Sequence, residues 1–228
     1  MTMSLGSKLV LRLSVSLILL SAVLFIPAGS VRFWQGWAYL ALVLIPVAFS
    51  FAYFYRRDPE LIERRLQTEE KVGAQRLLIG LLKPVFFGAL LLPGLDYRFG
   101  WSSTYLGVVP LWLTLLAQSL VVAGFLLVFW VLRVNSFAGR TIRVEERQTV
   151  ISSGPYAFIR HPMYSGSLLM FLFTPLALGS YVAWPAFALL VPIYVLRLLN
   201  EEKVLRQELP GYSEYCARTR FRLVPLVW

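Results

Sequence analysis

Long apolar runs separated by short polar segments are the main feature of this sequence. Six runs are long enough to be considered for crossing the ~30 Å hydrocarbon core of a membrane. They lie at roughly 9–27, 35–55, 77–95, 106–132, 164–179 and 182–199. Only Gly179, Ser180 and Tyr181 join the last two runs, which predicts a tight helical hairpin. The pattern therefore predicts an all-α membrane protein with about six transmembrane helices, the last two forming a C-terminal hairpin.

Composition supports this interpretation and excludes other classes. The chain has 228 residues, of which 58% are hydrophobic and 15% charged, whereas a soluble domain is about 45–50% apolar and about 25% charged. A soluble globular domain and a disordered chain are both excluded. Cys216 and His161 are the only residues of their types, so an internal disulfide and a paired-histidine zinc site are excluded, and we expect no metal.

The distribution of positive charge predicts the topology. The net charge is +10, and 19 of the 22 Lys and Arg residues fall in the N-terminus, the 56–76 and 133–160 loops and the segment after 196. By the positive-inside rule both termini are expected in the cytoplasm. Trp34, Trp37, Trp101 and Trp184 fall on the opposite side, where an aromatic belt is expected. The charge thus indicates a membrane surface as partner, with no nucleic acid.

Two parts of the chain allow two interpretations each. Residues 9–27, preceded by Lys8 and followed by a small-residue stretch, resemble a signal peptide, but a retained helix is favoured. Residues 57–76 begin Asp58-Pro59, which favours a helix lying on the membrane surface, with a solvated connector as the alternative. The whole chain, 1–228, is expected to be one domain, with N-terminal helices to 132 and a catalytic and cofactor-binding core from 133.

Functional groups concentrate in two predicted cytoplasmic segments, 135–164 and 200–225. Because the hairpin leaves and returns to the same membrane face, the two segments are expected to meet at one pocket at the cytoplasmic boundary. Carboxylates at the end of a membrane helix are costly unless they are paired or functional. The residues expected to converge are Arg160, His161, Tyr164, Glu201 and Glu202.

Each of these residues has a simpler explanation when it is taken alone. Arg160 is typical of a positive-inside anchor, and His161 of an interfacial hydrogen-bonding group. Glu201 and Glu202 are typical of a helix N-terminus. Lys83, inside the third run, is expected to extend its ammonium to the interface, with a functional contact as the alternative. Only the combination favours a site.

The combination resembles a known family. The string Gly154-Pro155-Tyr156, then Arg160-His161-Pro162-Met163-Tyr164, an apolar hairpin, Glu201-Glu202 and a Gly211-Tyr212 tail is similar to the isoprenylcysteine carboxyl methyltransferase family. That family is grouped with the phospholipid N-methyltransferases among integral membrane methyltransferases. The resemblance covers about residues 130–228. The tail departs from it at Phe221-Arg222-Leu223, where the family more usually has Val-Pro-Arg.

The resemblance implies S-adenosylmethionine as cofactor and assigns residues to its site. The residues implied to bind the cofactor are Gly154, Pro155, Tyr156, His161, Tyr164, Glu201 and Glu202. Those implied to be closest to catalysis are Arg160, the acidic pair represented by Glu201, and Asn135. A lipophilic acceptor is expected to enter from the bilayer, and the active site is expected on the cytoplasmic face.

The predicted reaction is methyl transfer to a lipophilic carboxylate, which is ionised at neutral pH and needs no general base. N-methylation of a phospholipid headgroup is the alternative, and an amine acceptor would use His161 or a glutamate as base. A nicotinamide-dependent membrane reductase is less favoured, because such proteins are usually larger. A transporter is less favoured because the chain has no inverted repeat and few charges in its early helices.

Overall fold

Helices form all the regular structure in the described part of this protein. The computed structural model describes residues 4–66, 73–139 and 148–228. In these ranges the α-helices are α1 (Leu5–Ala28), α2 (Trp34–Arg57), α3 (Pro59–Leu66), α4 (Gly73–Phe99), α5 (Trp101–Tyr105), α6 (Leu111–Val134), α7 (Pro162–Ala177), α8 (Trp184–Ala188), α9 (Leu190–Glu208) and α10 (Tyr212–Arg218). A short 3-10 helix covers Gly154–Ala157. The predicted all-α class is confirmed.

Four helices, α1, α2, α4 and α6, are long and apolar enough to cross a membrane. They correspond to the first four predicted runs. An apolar run in lipid is helical because a helix satisfies its backbone hydrogen bonds within one segment. The fourth begins at Leu111 instead of 106, since Pro110 has extended backbone and Gly107 has φ +92°. These helices make the chain an integral membrane protein.

The two legs of the C-terminal hairpin differ from each other in length and continuity. Its first leg, α7, has 16 residues, which gives about 24 Å at 1.5 Å per residue. The second leg is broken into α8 and α9, because Pro192 lacks the N–H that would bond to the carbonyl of Ala188, where α8 ends. The predicted turn is present, with Gly179 at φ +75°. The total of about six spans stays a prediction.

Glycines allow α6 and α7 to pack closely. A Cβ at Gly124 would lie 2.5 Å from Cγ of Met170 and 2.7 Å from the carbonyl oxygen of Gly166. A Cβ at Gly166 would lie 2.9 Å from the carbonyl oxygen of Gly124. The two backbones therefore approach to a distance that only glycine permits, as in small-residue membrane helix pairs. This crossing fixes the start of α7 beside the end of α6.

A buried carboxylate holds the hairpin turn at the other end of the bundle. Asp96, near the end of α4, accepts hydrogen bonds from the hydroxyls of Ser102 and Ser180 and, at 2.6 Å, from the backbone N–H of Ser102. The Ser102 hydroxyl oxygen in turn accepts from the N–H of Tyr181 at 2.9 Å. The turn between α7 and α8 is thus fixed to the α4–α5 corner, which sets the direction in which α9 returns.

The short helix α3 lies against the bundle. Asp58 accepts a hydrogen bond from the N–H of Leu61 at 3.0 Å and caps it. Leu61 and Ile62 are 1% and 2% exposed and pack against α1, α2 and α6. The predicted helix is therefore confirmed over 59–66, and burial of its apolar side excludes a merely solvated connector there. The remainder of the predicted segment at 67–72 lies outside the described residues, and the division of the chain at 132 stays a prediction.

Candidate functional site

One cavity of about 540 Å³ opens where these elements meet. Four helices contribute a stripe of side chains to it at helical spacing: Arg12 and Ser16 from α1, Val47 and Phe51 from α2, Ile79, Leu82 and Lys83 from α4, and Tyr194, Arg197, Glu201 and Leu205 from α9. The rest of the wall comes from the end of α3, residues 135–139 directly after α6, residues within 148–167, Leu209 and α10. The cavity therefore has an apolar end between membrane helices and a polar end near the tail.

Glu202 is the centre of an ion cluster behind the polar wall. Its Oε1 lies 2.9 Å from Nη1 of Arg160 and 3.2 Å from Nε2 of His161. Its Oε2 lies 3.1 Å from Nε of Arg222. Burial alone raises the pKa of Glu202, but the hydrogen bond to His161 and the charges of His161, Arg160 and Arg222 bring it down to about 2. Glu202 is thus ionised and fully engaged, and it does not line the cavity.

The C-terminal tail, residues 219–228 after α10, forms backbone hydrogen bonds with the segment that carries Arg160 and His161. The N–H of Arg160 donates to the carbonyl of Phe221 at 2.9 Å, and the N–H of His161 donates to the carbonyl of Arg222 at 3.0 Å. The Ser165 hydroxyl donates to the carbonyl of Leu223 at 2.6 Å. These bonds place Arg222 beside Glu202, so among the tail arginines this one contacts the acidic pair.

Glu201 has a different environment from its neighbour. It lines the cavity, and its Oε2 accepts a hydrogen bond of 2.5 Å from the hydroxyl of Tyr164. Nε of Arg197, one turn earlier on α9, donates to the same hydroxyl at 3.0 Å. Because successive helical residues point about 100° apart, one glutamate faces the cavity while the next faces the ion cluster.

Asn135 and Tyr156 form a second polar part of the wall. Nδ2 of Asn135 donates to the Tyr156 hydroxyl at 2.8 Å, and its Oδ1 accepts from the N–H of Phe137. The Tyr215 hydroxyl donates to the Tyr156 carbonyl at 2.8 Å. Burial raises the pKa of Tyr156 to about 12, although the bond to Asn135 lowers it. The phenol is therefore neutral and its ring is held in place at the cavity.

Two buried polar atoms on this wall have no hydrogen-bond partner among the described residues. They are the Tyr212 hydroxyl and Nε of Arg160, and both residues line the cavity. Burial raises the pKa of Tyr212, and nearby Glu202 raises it further, so the hydroxyl keeps its proton. Buried donors normally have an acceptor, and these two have none among the described residues.

The residues implied by the resemblance divide into two groups. Those that line the cavity are Asn135, Tyr156, Arg160, His161, Tyr164 and Glu201. Glu202 lies behind the wall, and Gly154 and Pro155 lie beside it: Gly154 has φ +60° and sits against Trp130 and Val134. Glycine there provides the turn that presents Tyr156.

Other lining residues were not predicted as site residues from the sequence. They include Arg12, Lys83, Tyr194, Arg197, Tyr212 and Tyr215. Arg197, Glu201 and Leu205 follow Tyr194 at i+3, i+7 and i+11, and this helical spacing is the sequence signal that indicates a shared face on α9. Tyr212 carries no comparable signal, since it reaches the cavity through the fold-back of α10.

Comparison with known proteins shows similarity to a family model and to a bacterial protein. Residues 112–210, from the start of α6 to just after α9, match a family model described as phospholipid methyltransferase. The cobalt-zinc-cadmium resistance protein CzcN of Cupriavidus metallidurans is 30% identical over 158 residues. That alignment covers 67% of this chain and 62% of the relative, so it spans less than two thirds of the relative's length. The family match contains Arg160, His161, Tyr164, Glu201 and Glu202.

Proposed function

We propose that this chain transfers a methyl group from S-adenosylmethionine to a lipophilic carboxylate, on the basis of the match between residues 112–210 and the phospholipid methyltransferase family model, which belongs to the isoprenylcysteine carboxyl methyltransferase-like group of membrane methyltransferases. The resemblance drawn from the sequence is confirmed at the level of this group. The observation that best supports the proposal is the convergence of Arg160, Tyr164 and Glu201 on one cavity. Its volume of about 540 Å³ falls within the ~300–1,000 Å³ usual for ligand pockets.

The polar end of the cavity fits the cofactor. Glu201 offers a carboxylate for the ammonium of the methionine part, and the unpartnered Nε of Arg160 and hydroxyl of Tyr212 offer donors for its carboxylate. Aromatic faces attract cations, and Tyr156 and Tyr164 supply such faces for the sulfonium. When bound, the cofactor would supply an electrophilic methyl group.

The chain's own contribution is alignment and exclusion of water. An acceptor carboxylate is ionised at neutral pH, so it would accept the methyl group that the bound cofactor supplies without the removal of a proton. Nε2 of His161 lies 3.2 Å from Oε1 of Glu202, so this nitrogen already has a hydrogen-bond partner. That arrangement is consistent with a reaction that needs no general base. Arg160 keeps its position through Glu202 and the carbonyl of Arg220, which its Nη2 contacts at 3.2 Å. Such positioning accounts for large rate effects when the reacting atoms are held close.

The route of the acceptor follows from the two ends of the cavity. We propose that the acceptor enters from the bilayer between α1, α2 and α4, whose residues line the apolar end. The polar end is proposed to face the cytoplasm together with both termini, as the positive-inside distribution predicts. Cofactor and acceptor would then reach the reaction centre from opposite directions.

The family model's description favours one alternative, N-methylation of a phospholipid headgroup. An amine nucleophile needs a proton removed, and Glu201 is the lining carboxylate available for it among the described residues. The relative CzcN is named for resistance to cobalt, zinc and cadmium. In the described ranges no group of three or more His, Cys, Asp and Glu side chains is placed to hold a metal ion, and we propose no metal site.

The test is calorimetric binding of S-adenosylhomocysteine to the detergent-purified full chain, followed by transfer of labelled methyl from S-adenosylmethionine. Glu201→Gln removes the charge that faces the cavity, and Glu208→Gln removes an exposed charge on the same helix as control. We expect micromolar binding by wild type and the control, and at least about tenfold weaker binding by Glu201→Gln. Folded wild-type protein that binds neither compound would refute the proposal.

Transfer assays then separate the acceptors. A farnesylated N-acetylcysteine and a phosphatidylethanolamine are offered in parallel to the same preparation. Labelled ester, lost on mild alkaline hydrolysis, supports the carboxylate proposal. Labelled base-stable amine supports the phospholipid alternative.

A further inference from the structure

Lys83 is a charged residue inside a membrane helix. It lies ten residues after Gly73, the first residue of α4, which corresponds to about 15 Å along the helix axis. Its neighbours on both sides are apolar for several residues. A charge near the centre of a membrane helix costs about 2.5–3.5 kcal/mol on insertion scales. Such residues usually face a cavity and have a partner.

Lys83 lines the cavity, and its ammonium has no partner among the described residues. It lines the apolar end together with Ile79 and Leu82 on the same side of α4, across from Ser16. No hydrogen bond or ion pair joins its ammonium to any of the described residues. The energetics therefore call for a partner beyond the described residues, and a ligand in the cavity meets this need.

The charge balance of the cavity specifies the sign of that partner. Among the described lining residues five are cationic and one is a carboxylate: Arg12, Arg65, Lys83, Arg160 and Arg197 against Glu201. Glu202 compensates Arg160 from behind the wall. Arg12 donates to the carbonyl of Leu66, which neutralises no charge. The proposed methyl donor carries a net positive charge and deepens the imbalance.

We infer that Lys83 binds the anionic group of the lipophilic acceptor, so that the apolar end of the cavity selects amphiphiles with an acidic head over neutral ones. This inference rests on the proposed function, because the acceptor is the substrate of the proposed methyl transfer. The apolar side chains Val47, Phe51 and Leu82 contact the hydrocarbon part, and the ammonium holds one oxygen of the head. An acidic acceptor is thereby oriented before it reaches the polar end.

The test compares acids with their neutral twins in titrations of the full chain in detergent. The pairs are farnesylated N-acetylcysteine and its carboxamide, oleic acid and oleamide, and dioctanoyl phosphatidic acid and dioctanoylglycerol. Each titration is done with and without saturating S-adenosylhomocysteine, on wild type, Lys83→Met and Lys83→Arg. Lys8→Met, the same substitution at an exposed position of α1 outside the cavity, is the matched control.

We expect wild type to bind the acidic member of at least one pair about ten- to a hundredfold more tightly than its twin. Lys83→Met should bring the acid to the affinity of the twin without changing the twin's affinity, and Lys83→Arg should keep most of the preference. A preference confined to the carboxylic acids or to the phospholipid identifies the source of the anion. Absence of any acid preference in folded wild type, or a preference that persists in Lys83→Met, would overturn the inference.

The same data separate this inference from the proposed function. If S-adenosylhomocysteine binds but no acid is preferred, the methyltransferase proposal stands and the role of Lys83 is wrong. If the acid preference depends on Lys83 while S-adenosylhomocysteine does not bind, the anion site stands and the proposed reaction is wrong.

Discussion

Oε1 of Glu202 lies 2.9 Å from Nη1 of Arg160, and both side chains are almost completely buried. The same carboxylate also contacts His161 and Arg222. It therefore joins three segments that are far apart in sequence: the start of α7, the middle of α9 and the tail. Glu201, the preceding residue, faces the cavity. Two adjacent glutamates are thus expected to give different phenotypes, one in folding and one in binding.

The first prediction concerns Glu202→Ala. Removing one partner of a buried ion cluster leaves Arg160 without compensation for its charge, and such changes cost about 3–5 kcal/mol. We expect a large fall in the thermal unfolding midpoint in detergent, followed by circular dichroism. Glu208→Ala, at an exposed site on the same helix, should leave the midpoint nearly unchanged. A midpoint for Glu202→Ala within a degree or two of wild type would contradict a structural role for the cluster.

The second prediction is the pH dependence that this cluster imposes. The pKa of Glu202 falls from an ordinary value near 4.5 to about 2 in the folded protein. A depressed carboxyl pKa stabilises the folded state above pH 4.5, and this stability is lost as the pH falls from 4.5 towards 2. Its magnitude is on the order of 3 kcal/mol.

Unfolding midpoints measured between pH 7 and pH 3 check this. Wild type should lose stability progressively below about pH 4.5, and Glu202→Gln should lose less over the same range because its side chain does not titrate. Equal slopes for the two proteins would show that other carboxyl groups carry the acid sensitivity.

The outline of the fold was predictable because lipid imposes a simple rule. A run of about 20 apolar residues must be helical to satisfy its backbone, so α1, α2, α4 and α6 follow from hydropathy. The break between α8 and α9 was not predicted from the run at 182–199, since hydropathy does not record that Pro192 removes a hydrogen bond. An average of hydropathy over a window therefore does not detect a helix break that a single proline produces.

The site was predictable only as a set. The sequence brings Arg160 and Glu201 to one membrane face through the hairpin, and the structure places both at the cavity. The sequence alone does not reveal which of the two adjacent glutamates points into the cavity, because this depends on the rotation of α9 about its axis. Tyr212 was missed as a lining residue, and a functional contact of Lys83 was predicted only as an alternative, for a related reason: each reaches the cavity through packing between elements distant in sequence.

The third prediction contrasts two tyrosines of α10. The Tyr212 hydroxyl is buried at the cavity and lacks a partner among the described residues, so Tyr212→Phe removes no internal hydrogen bond. We expect unchanged or slightly higher stability and about three- to tenfold weaker binding of S-adenosylhomocysteine. The Tyr215 hydroxyl donates to the carbonyl of Tyr156 at 2.8 Å, so Tyr215→Phe should cost about 1 kcal/mol of stability.

Calorimetry and thermal unfolding on both variants decide this prediction. The expected result is that Tyr212→Phe changes binding more than stability, whereas Tyr215→Phe changes stability more than binding. If Tyr212→Phe binds like wild type and Tyr215→Phe does not, the ligand contacts the opposite side of α10 from the one that the orphan hydroxyl indicates.

The fourth prediction concerns the crossing of α6 and α7, which sets the position of Arg160 and His161 at the start of α7. In Gly124→Ala the new methyl group would lie 2.5 Å from Cγ of Met170 and 2.7 Å from a carbonyl oxygen, so the helices must separate. Overpacking of this kind costs about 1–3 kcal/mol. Gly80→Ala on α4 meets no atom within 4 Å and should be neutral or stabilising by up to about 1 kcal/mol, because alanine is the better helix former.

Because α7 carries part of the cavity wall, Gly124→Ala is also expected to weaken S-adenosylhomocysteine binding, although Gly124 does not line the cavity. Unfolding midpoints and binding constants for the two alanine variants test both consequences together. If the Gly124 variant lost stability but bound normally, the end of α7 would be held by the tail, through the bonds of Arg160 and His161 to Phe221 and Arg222, and the helix crossing would serve stability alone. Equal stability of the two variants would show that α6 and α7 are less closely packed than the contact of Gly124 with Gly166 requires.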